Sequence, residues 1–236
     1  MQAIILAAGM GRRLSKESNG LPKAMLRIGG KTIIQNQIEA CLSIGIERFV
    51  IVLGYEKEHL REHIVRFLPD KEIIFIENNR YMETNTLYSL YLAREYFIDG
   101  FIYFNGDVFF GDQLLSMIDL EKKRSQLFLK SGECGDEEIK MIISEENRIL
   151  EIGKNLPLEQ CAGEFIGIGY FAEDDIALFS ECLERGIKDG EENNYFEFAV
   201  NILCRQKELF AISTKEARCL EIDFPEDLKK ARALFK

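Results

Sequence analysis

The 236-residue chain contains no tryptophan, and it has only two histidines and four prolines. It also has no apolar run near the roughly 18 residues that a membrane-spanning helix needs, so insertion into a bilayer is not expected. The apolar stretch at the N-terminus is about six residues long and stops at a glycine, which does not make a signal peptide. None of the six cysteines (Cys41, Cys134, Cys161, Cys182, Cys204 and Cys219) belongs to a C-x-x-C pair. That argues against a zinc knuckle or a thioredoxin-like centre and fits reduced, mostly structural thiols in a cytoplasmic protein. Positive charge is in deficit: 30 Lys and Arg against 40 Asp and Glu give a formal net charge of −10. Non-specific binding to nucleic acid or to an anionic membrane surface is therefore not expected. Repeats, low-complexity tracts and an obvious interdomain linker are missing as well, so the chain reads as a single domain.

What is present is concentrated at the start. Residues 3–8 form a continuous apolar run, β-branched at its beginning and closed by Gly9. Such a run is the mark of a strand buried on both faces of a parallel sheet. A loop with Gly9, Gly11, Arg12 and Arg13 follows, and after it comes Pro22-Lys23. Glycines let backbone amides approach a phosphate and the cations supply countercharge, so this loop is the first candidate site. It lacks the third glycine of the dinucleotide fingerprint and the Gly-Lys-Ser/Thr of a Walker loop.

Further along, helical periodicity over 32–44 is followed by an apolar run at 49–53, a charged helix over 56–67 and a third run at 73–76. This β-α-β-α-β rhythm predicts a Rossmann-like, doubly wound α/β fold with a mostly parallel sheet. A helix from about 84 to 97 leads into a fourth strand at 101–104, which ends in Asn105-Gly106-Asp107. Shorter strands at 127–129, 139–143, 149–152 and 165–171 suggest a small antiparallel β region over the ligand, spanning about 126–204. The core would then be 1–125 and 205–236. Two helices, at 174–185 and 195–206, precede strands near 209–213 and 220–223. Phe224-Pro225 opens a terminal helix, with proline at a tolerated first-turn position.

Ligands of open α/β sheets bind beyond the carboxyl ends of the strands. Asp107 lies there and is suitably placed to hold Mg²⁺ against a phosphate oxygen, although Asn-Gly-Asp is also an ordinary turn.

At this point a family resemblance emerges. Leu6-Ala7-Ala8-Gly9-Met10-Gly11-Arg12-Arg13-Leu14 with Pro22-Lys23 resembles the L-A-A-G-x-G-x-R-[LM]…P-K signature of nucleotidyltransferases of the sugar-1-phosphate type. The resemblance implies the nucleotide-diphospho-sugar transferase fold and an Mg²⁺ held by Asp107 and Asp223. Lys23 would stabilise charge at the α-phosphate. Arg13, with the amides near Gly9 and Gly11, would hold the departing pyrophosphate, while Leu6, Ala8, Asn85 and Thr86 would complete the nucleotide site. The stretch Asn85-Thr86-Leu87-Tyr88-Ser89-Leu90 resembles that of CTP:phosphocholine cytidylyltransferases and their aminoethylphosphonate-using relatives. Segments 149–154, 163–168 and 195–197 resemble the same branch. The branch implies CTP as donor and an acceptor site drawn from Tyr88, Ser89, Lys154, Glu164, Tyr195 and Glu197. Without tryptophan, any aromatic enclosure of a cationic head group must come from Tyr81, Tyr88, Tyr195 or Phe196. That slightly favours a primary ammonium or a polyol.

Three alternatives stay open. One is a sugar- or inositol-phosphate nucleotidyltransferase, and another is a non-catalytic nucleotide-binding module. The third is a metal site at His59-Leu-Arg-Glu62-His63, an H-x-x-E-H pattern whose simpler reading is a solvated helix face.

Overall fold

The computed structural model describes residues 1–215 and 217–236. β1 (Gln2–Ala7) leads through the glycine loop to a small hairpin, β2 (Arg27–Ile28) and β3 (Lys31–Thr32). Then follow α1 (Ile33–Ser43), β4 (Arg48–Leu53), α2 (Lys57–Phe67), β5 (Glu72–Glu77), α3 (Thr86–Ala93), β6 (Phe101–Asn105) and β7 (Val108–Phe110). The next four strands are β8 (Gln126–Ser131), β9 (Lys140–Ile143), β10 (Ile149–Gly153) and β11 (Gly163–Phe171). The described chain closes with α4 (Glu173–Lys188), α5 (Glu197–Cys204), β12 (Phe210–Ser213), β13 (Cys219–Glu221) and α6 (Pro225–Leu234).

The central sheet runs β10-β9-β11-β6-β1-β4-β5, and β8 and β12 join it through β11. β6, β1, β4 and β5 are mutually parallel, which is the half-Rossmann arrangement expected of the βαβ rhythm. The later strands do not form a separate sheet. β11 pairs antiparallel with β6 along residues 168–171, so the antiparallel region is a direct extension of the parallel one.

The apolar runs divide by parity. Ala3, Ile5 and Ala7 pack on one face with Ile34 and Ile38 of α1 and Leu60 and Ile64 of α2. Ile4, Leu6 and Ala8 pack on the other with Leu87 and Leu90 of α3 and Phe179 and Leu183 of α4. A strand covered on both faces has no polar side to show, which is why its sequence does not alternate. Among the described residues no helix is long and apolar enough to cross a membrane.

Two devices hold the segment after β6. β7 pairs antiparallel with β13, with Val108 opposite Glu221, and the Ile222 amide donates to the Asp107 carbonyl at 3.0 Å. On the other side, α1 supplies two buried amides. Asn36 donates to the Phe110 carbonyl at 2.9 Å and accepts from its N–H at 3.1 Å. Gln37 Nε2 donates to the carbonyls of Asn105 and Val108 at 2.8 and 2.9 Å. The helical periodicity over 32–44 takes in Gln37 with its apolar neighbours but not Asn36, and the pattern gives no indication that either amide grips a strand.

Replacing Asn36 with leucine, similar in shape but without donors or acceptors, would leave both backbone groups of Phe110 buried and unpaired. The expected loss is about 2–4 kcal/mol of unfolding free energy, read as a lower urea midpoint at unchanged slope.

Candidate active site

A cleft of about 570 Å³ opens at the carboxyl end of the parallel strands. It continues into a second lobe of about 310 Å³ under the glycine loop. The lobes share Leu6, Gly9, Arg13, Gly106, Asp107 and Asp223.

The loop's shape follows from its glycines. Gly11 has φ of 55°, in the left-handed region, and starts a 3₁₀ turn over Arg12–Leu14. A Cβ there would also lie 2.9 Å from the Lys23 Cβ, so glycine is needed on both counts. A Cβ at Gly106 would lie 2.5 Å from the Leu6 carbonyl, because Gly106 crosses directly over the end of β1. The Gly106 amide donates to that carbonyl at 2.9 Å.

Lys23 meets both aspartates. Its ammonium lies 2.9 Å from Asp107 Oδ2 and 2.6 Å from Asp223 Oδ1, with only 13% of its side chain exposed. Burial acts to lower its pKa, but the two carboxylates outweigh burial and hold it above the usual lysine value. Asp107 Oδ1 is buried and has no hydrogen-bond partner. Glu221 points to the same spot and is pushed well above the usual carboxylate range by burial and by the nearby Asp107, Glu164 and Asp223. Arg13 lies with its guanidinium carbon 4.6 Å from the centre of the Phe224 ring, beside Asp223. Asp227 Oδ2 accepts from the amides of Asp223 and Phe224 at 3.3 and 3.0 Å, fixing this corner at the start of α6.

The far end of the large lobe combines α3, α5 and the antiparallel strands. Asn85 caps α3 by accepting from the Thr86 amide at 2.9 Å, and Thr86 Oγ1 accepts from the Phe196 amide at 2.9 Å. The segment before α5 is thereby fastened across the start of α3, which brings Tyr195 and Glu197 into the cleft beside Asn85 and Thr86. Lys154 pairs with Glu137 at 2.8 Å, and Lys130 with Glu164 at 3.2 Å. Burial raises the pKa of Glu164, and Lys130 opposes it. Glu197 is buried, its Oε2 has no partner, and burial pushes its pKa up to about 7.

Of the residues singled out from sequence, Leu6, Ala8, Gly9, Gly11, Arg13, Lys23, Asn85, Thr86, Asp107 and Asp223 all line the cleft or its second lobe. Ser89, Lys154, Glu164, Tyr195 and Glu197 line the large lobe too. Ser89 is buried there and its hydroxyl is engaged by Asn78 Nδ2 at 3.0 Å. Tyr88 does not line it. One helical position before Ser89 it faces outward, where Arg80 lies 5.0 Å from its ring centre and Tyr91 stacks on it. Phe196 is wholly buried against Tyr103, 4.2 Å between ring centres, so it is a core residue and cannot enclose a ligand. Among the described residues no group of three or more His, Cys, Asp or Glu side chains gathers as a metal site. His59 turns to Glu56 at 2.9 Å and His63 to Thr32 Oγ1 at 3.0 Å, so the H-x-x-E-H pattern does not converge.

Sequence reasoning passed over Asn78, Glu137 and Glu221, all of which line the cleft. Glu221 had a signal: in Leu220-Glu221-Ile222-Asp223 the alternation puts both acids on one side of an extended segment.

Here the sheet's first strand ends in the glycine loop, and beside it a lysine bridges two aspartates. Residues 2–136 match the sequence model of the Nucleotidyl transferase family, and the chain belongs to that family. Similar relatives extend over nearly the whole chain. The CTP:phosphoglutamine cytidylyltransferase of Campylobacter jejuni is 27% identical, over 97% of this chain and 98% of its own length. The choline-phosphate cytidylyltransferase of Streptococcus pneumoniae is 24% identical, over 100% and 99%. Among solved structures, the CTP:phosphocholine cytidylyltransferase from Streptococcus pneumoniae shares the fold with a TM-score of 0.85 at 23% identity, covering 100% of this chain and 99% of its own. The inositol-1-phosphate CTP transferase from T. maritima shares it with a TM-score of 0.82 at 24% identity, covering 99% and 94%.

The buried Glu197 gives a pH-dependent stability. Between the ordinary carboxylate value and about 7, the folded protein keeps a proton that the unfolded chain gives up. This carboxyl's contribution is therefore fully present below the unfolded value and lost as pH rises through about 7. Glu197→Gln removes the effect. Relative to the unsubstituted protein, it should gain stability on the order of 2–3 kcal/mol between about pH 5 and pH 8, measured by urea denaturation.

Proposed function

We propose that this nucleotidyltransferase transfers CMP from CTP to a small phosphomonoester or phosphonate and releases pyrophosphate. The observation that carries the reading is the meeting of Lys23, Asp107 and Asp223 where the two lobes of the cleft join. The lobe under the glycine loop suits the triphosphate, with the Gly9 and Gly11 backbone and Arg13 around the departing pyrophosphate. The large lobe suits the base and the acceptor. The cytidylyl choice draws on relatives with that activity that span almost the whole chain.

The residues present fit Mg²⁺. Asp107 and Asp223 offer hard oxygen ligands, and Asp107 Oδ1 is buried with no partner of its own. Two carboxylates without a third ligand suit a cation that takes its remaining ligands from water and substrate phosphates. When bound, Mg²⁺ would neutralise phosphate charge.

The other steps belong to the chain itself. A phosphate monoester has a second pKa of about 6, so its attacking oxygen is already anionic at neutral pH and needs no general base. Catalysis then consists of aligning that oxygen with the α-phosphorus and offsetting the charge that builds there. Lys23, preorganised by two carboxylates, supplies a fixed positive charge at that point. Arg13, steadied on the Phe224 ring, is directed at the leaving group.

The acceptor wall bears on the head group. Of the aromatic residues expected to enclose a cation, only Tyr81 and Tyr195 line the cleft. Glu137 and Glu164 are each paired with a lysine, whereas Glu138, Glu197 and Glu221 line the lobe without an ion pair among the described residues, and Glu197 Oε2 is buried with no partner at all. Asn78, Thr84, Asn85 and Thr86 add hydrogen-bonding groups. This lining supports a compact, hydrogen-bonding head group, such as a primary ammonium, an amide or a hydroxyl, over trimethylammonium.

Two measurements test the reading. Pyrophosphate release should occur with CTP and at least one acceptor from phosphocholine, 2-aminoethylphosphonate, phosphorylated amides, inositol phosphate and sugar 1-phosphates. No release with CTP and any of them would overturn it. Lys23→Ala should lower kcat by about 10²- to 10³-fold while the circular dichroism spectrum is unchanged. Near-normal turnover would remove Lys23 from the reaction.

A further inference from the structure

Lys140 opens β9 and is only 2% exposed, yet among the described residues its ammonium has no carboxylate within ion-pair distance. It donates instead to three main-chain carbonyls: Lys154 at 2.6 Å, and Asp136 and Glu138 at 3.3 Å each. Three donors meet three acceptors. Burying an ammonium is costly, and here the three carbonyls are what offset that cost.

Its partners give the charge a purpose. In the sheet Lys140 lies opposite Gly153 on β10 and Glu164 on β11. The carbonyls it binds belong to the turn before β9 and to the residue just after β10. Those two segments carry Glu137, Glu138, Ile139 and Lys154 into the cleft. Apart from the Phe165 amide, which donates to the Ile139 carbonyl at 2.7 Å just after it, the turn has little else to hold it. Glu138 accepts from the Gly135 amide at 2.7 Å, which closes the turn on itself, and Glu137 reaches Lys154 at 2.8 Å from an exposed position. An exposed ion pair contributes little, whereas buried charge-assisted hydrogen bonds contribute more.

We propose that Lys140 is a positioning residue: from behind the cleft wall it fastens the 136–138 turn to the end of β10 and so sets affinity for the acceptor. The proposal rests on the acceptor reading of this end of the cleft. It assigns Lys140 no contact with substrate.

The test compares Lys140→Met with the unsubstituted protein by amide hydrogen exchange without ligands, then by steady-state kinetics. Residues 132–139 and 153–156 should exchange about tenfold faster, with β1, β4 and β6 unchanged. KM for the acceptor should rise about tenfold, with kcat and KM for CTP within about twofold. Should Lys140→Met not fold, Lys140→Gln carries the same test, since its amide lies one bond short of the lysine nitrogen and cannot reach all three carbonyls. Unchanged exchange across 132–139 overturns the clamp. Faster exchange with an unchanged acceptor KM overturns its role in acceptor affinity. If the unsubstituted protein turns over no acceptor, the proposed function fails, and the exchange comparison still decides the clamp.

Discussion

The ammonium of Lys23 between Asp107 and Asp223 is the contact on which the site depends, and it joins three distant parts of the chain. Lys23 stands 84 positions from Asp107 and 200 from Asp223. Each is delivered by a different construction: the loop after β1, the bend after β6, and the strand that pairs with β7. Like charges at the two aspartates would repel at this distance, and the raised Glu221 pKa reflects that crowding. A single buried cation makes the cluster tolerable. Anything that shifts one of these constructions weakens all three, which explains why so many buried amides of α1 and β13 are committed to holding the backbone of 105–110.

The parallel half of the fold was legible because it is buried on both faces. Continuous apolar runs, each stopping near a glycine, mark β1, β4 and β6, and the spacing between them admits only helical crossovers. The signature loop was legible because Gly11 answers to local geometry through its φ, as Gly106 does in the bend after β6 through its crossing of β1. The antiparallel half was less so. Its short strands could be picked out singly, but nothing in their pattern says that β11 docks on β6 and makes one sheet of both halves. β7, only three residues long, was missed because its partner lies more than a hundred positions away.

The acceptor side shows where reading by spacing stops. Tyr88 and Ser89 are adjacent on a helix, so only one of them can face the cleft, and Asn78 draws the serine inward. Phe196 and Glu197 are adjacent too, and there the neighbours decide: Tyr103 and Phe165 take the ring into the core, and the carboxyl is left at the cleft wall. Sequence supplies the residue types, but which member of such a pair turns inward depends on packing from elements far away in the chain.

Charge ties the two ends of the cleft together. The protein is acidic overall, yet the reaction proposed for it joins two anionic phosphates. Around the junction stand Asp107, Asp223, Glu221 and Glu164, an arrangement that repels phosphate unless cations intervene. The chain places those cations at separate depths: Lys23 within the acid cluster, Arg13 on its rim, and Lys130 and Lys154 on the far wall. Each cation on the wall already has a carboxylate partner, so an arriving phosphate must compete for it. On the proposed function, a phosphate arriving with Mg²⁺ would fare better than one arriving alone, since Asp107 and Asp223 are the residues that would hold the metal and the metal would offset phosphate charge. On the proposed reading the acid cluster therefore favours a metal-bound triphosphate over a bare phosphate, and selectivity for a correctly charged substrate complex follows from carboxylates placed beside the phosphate path.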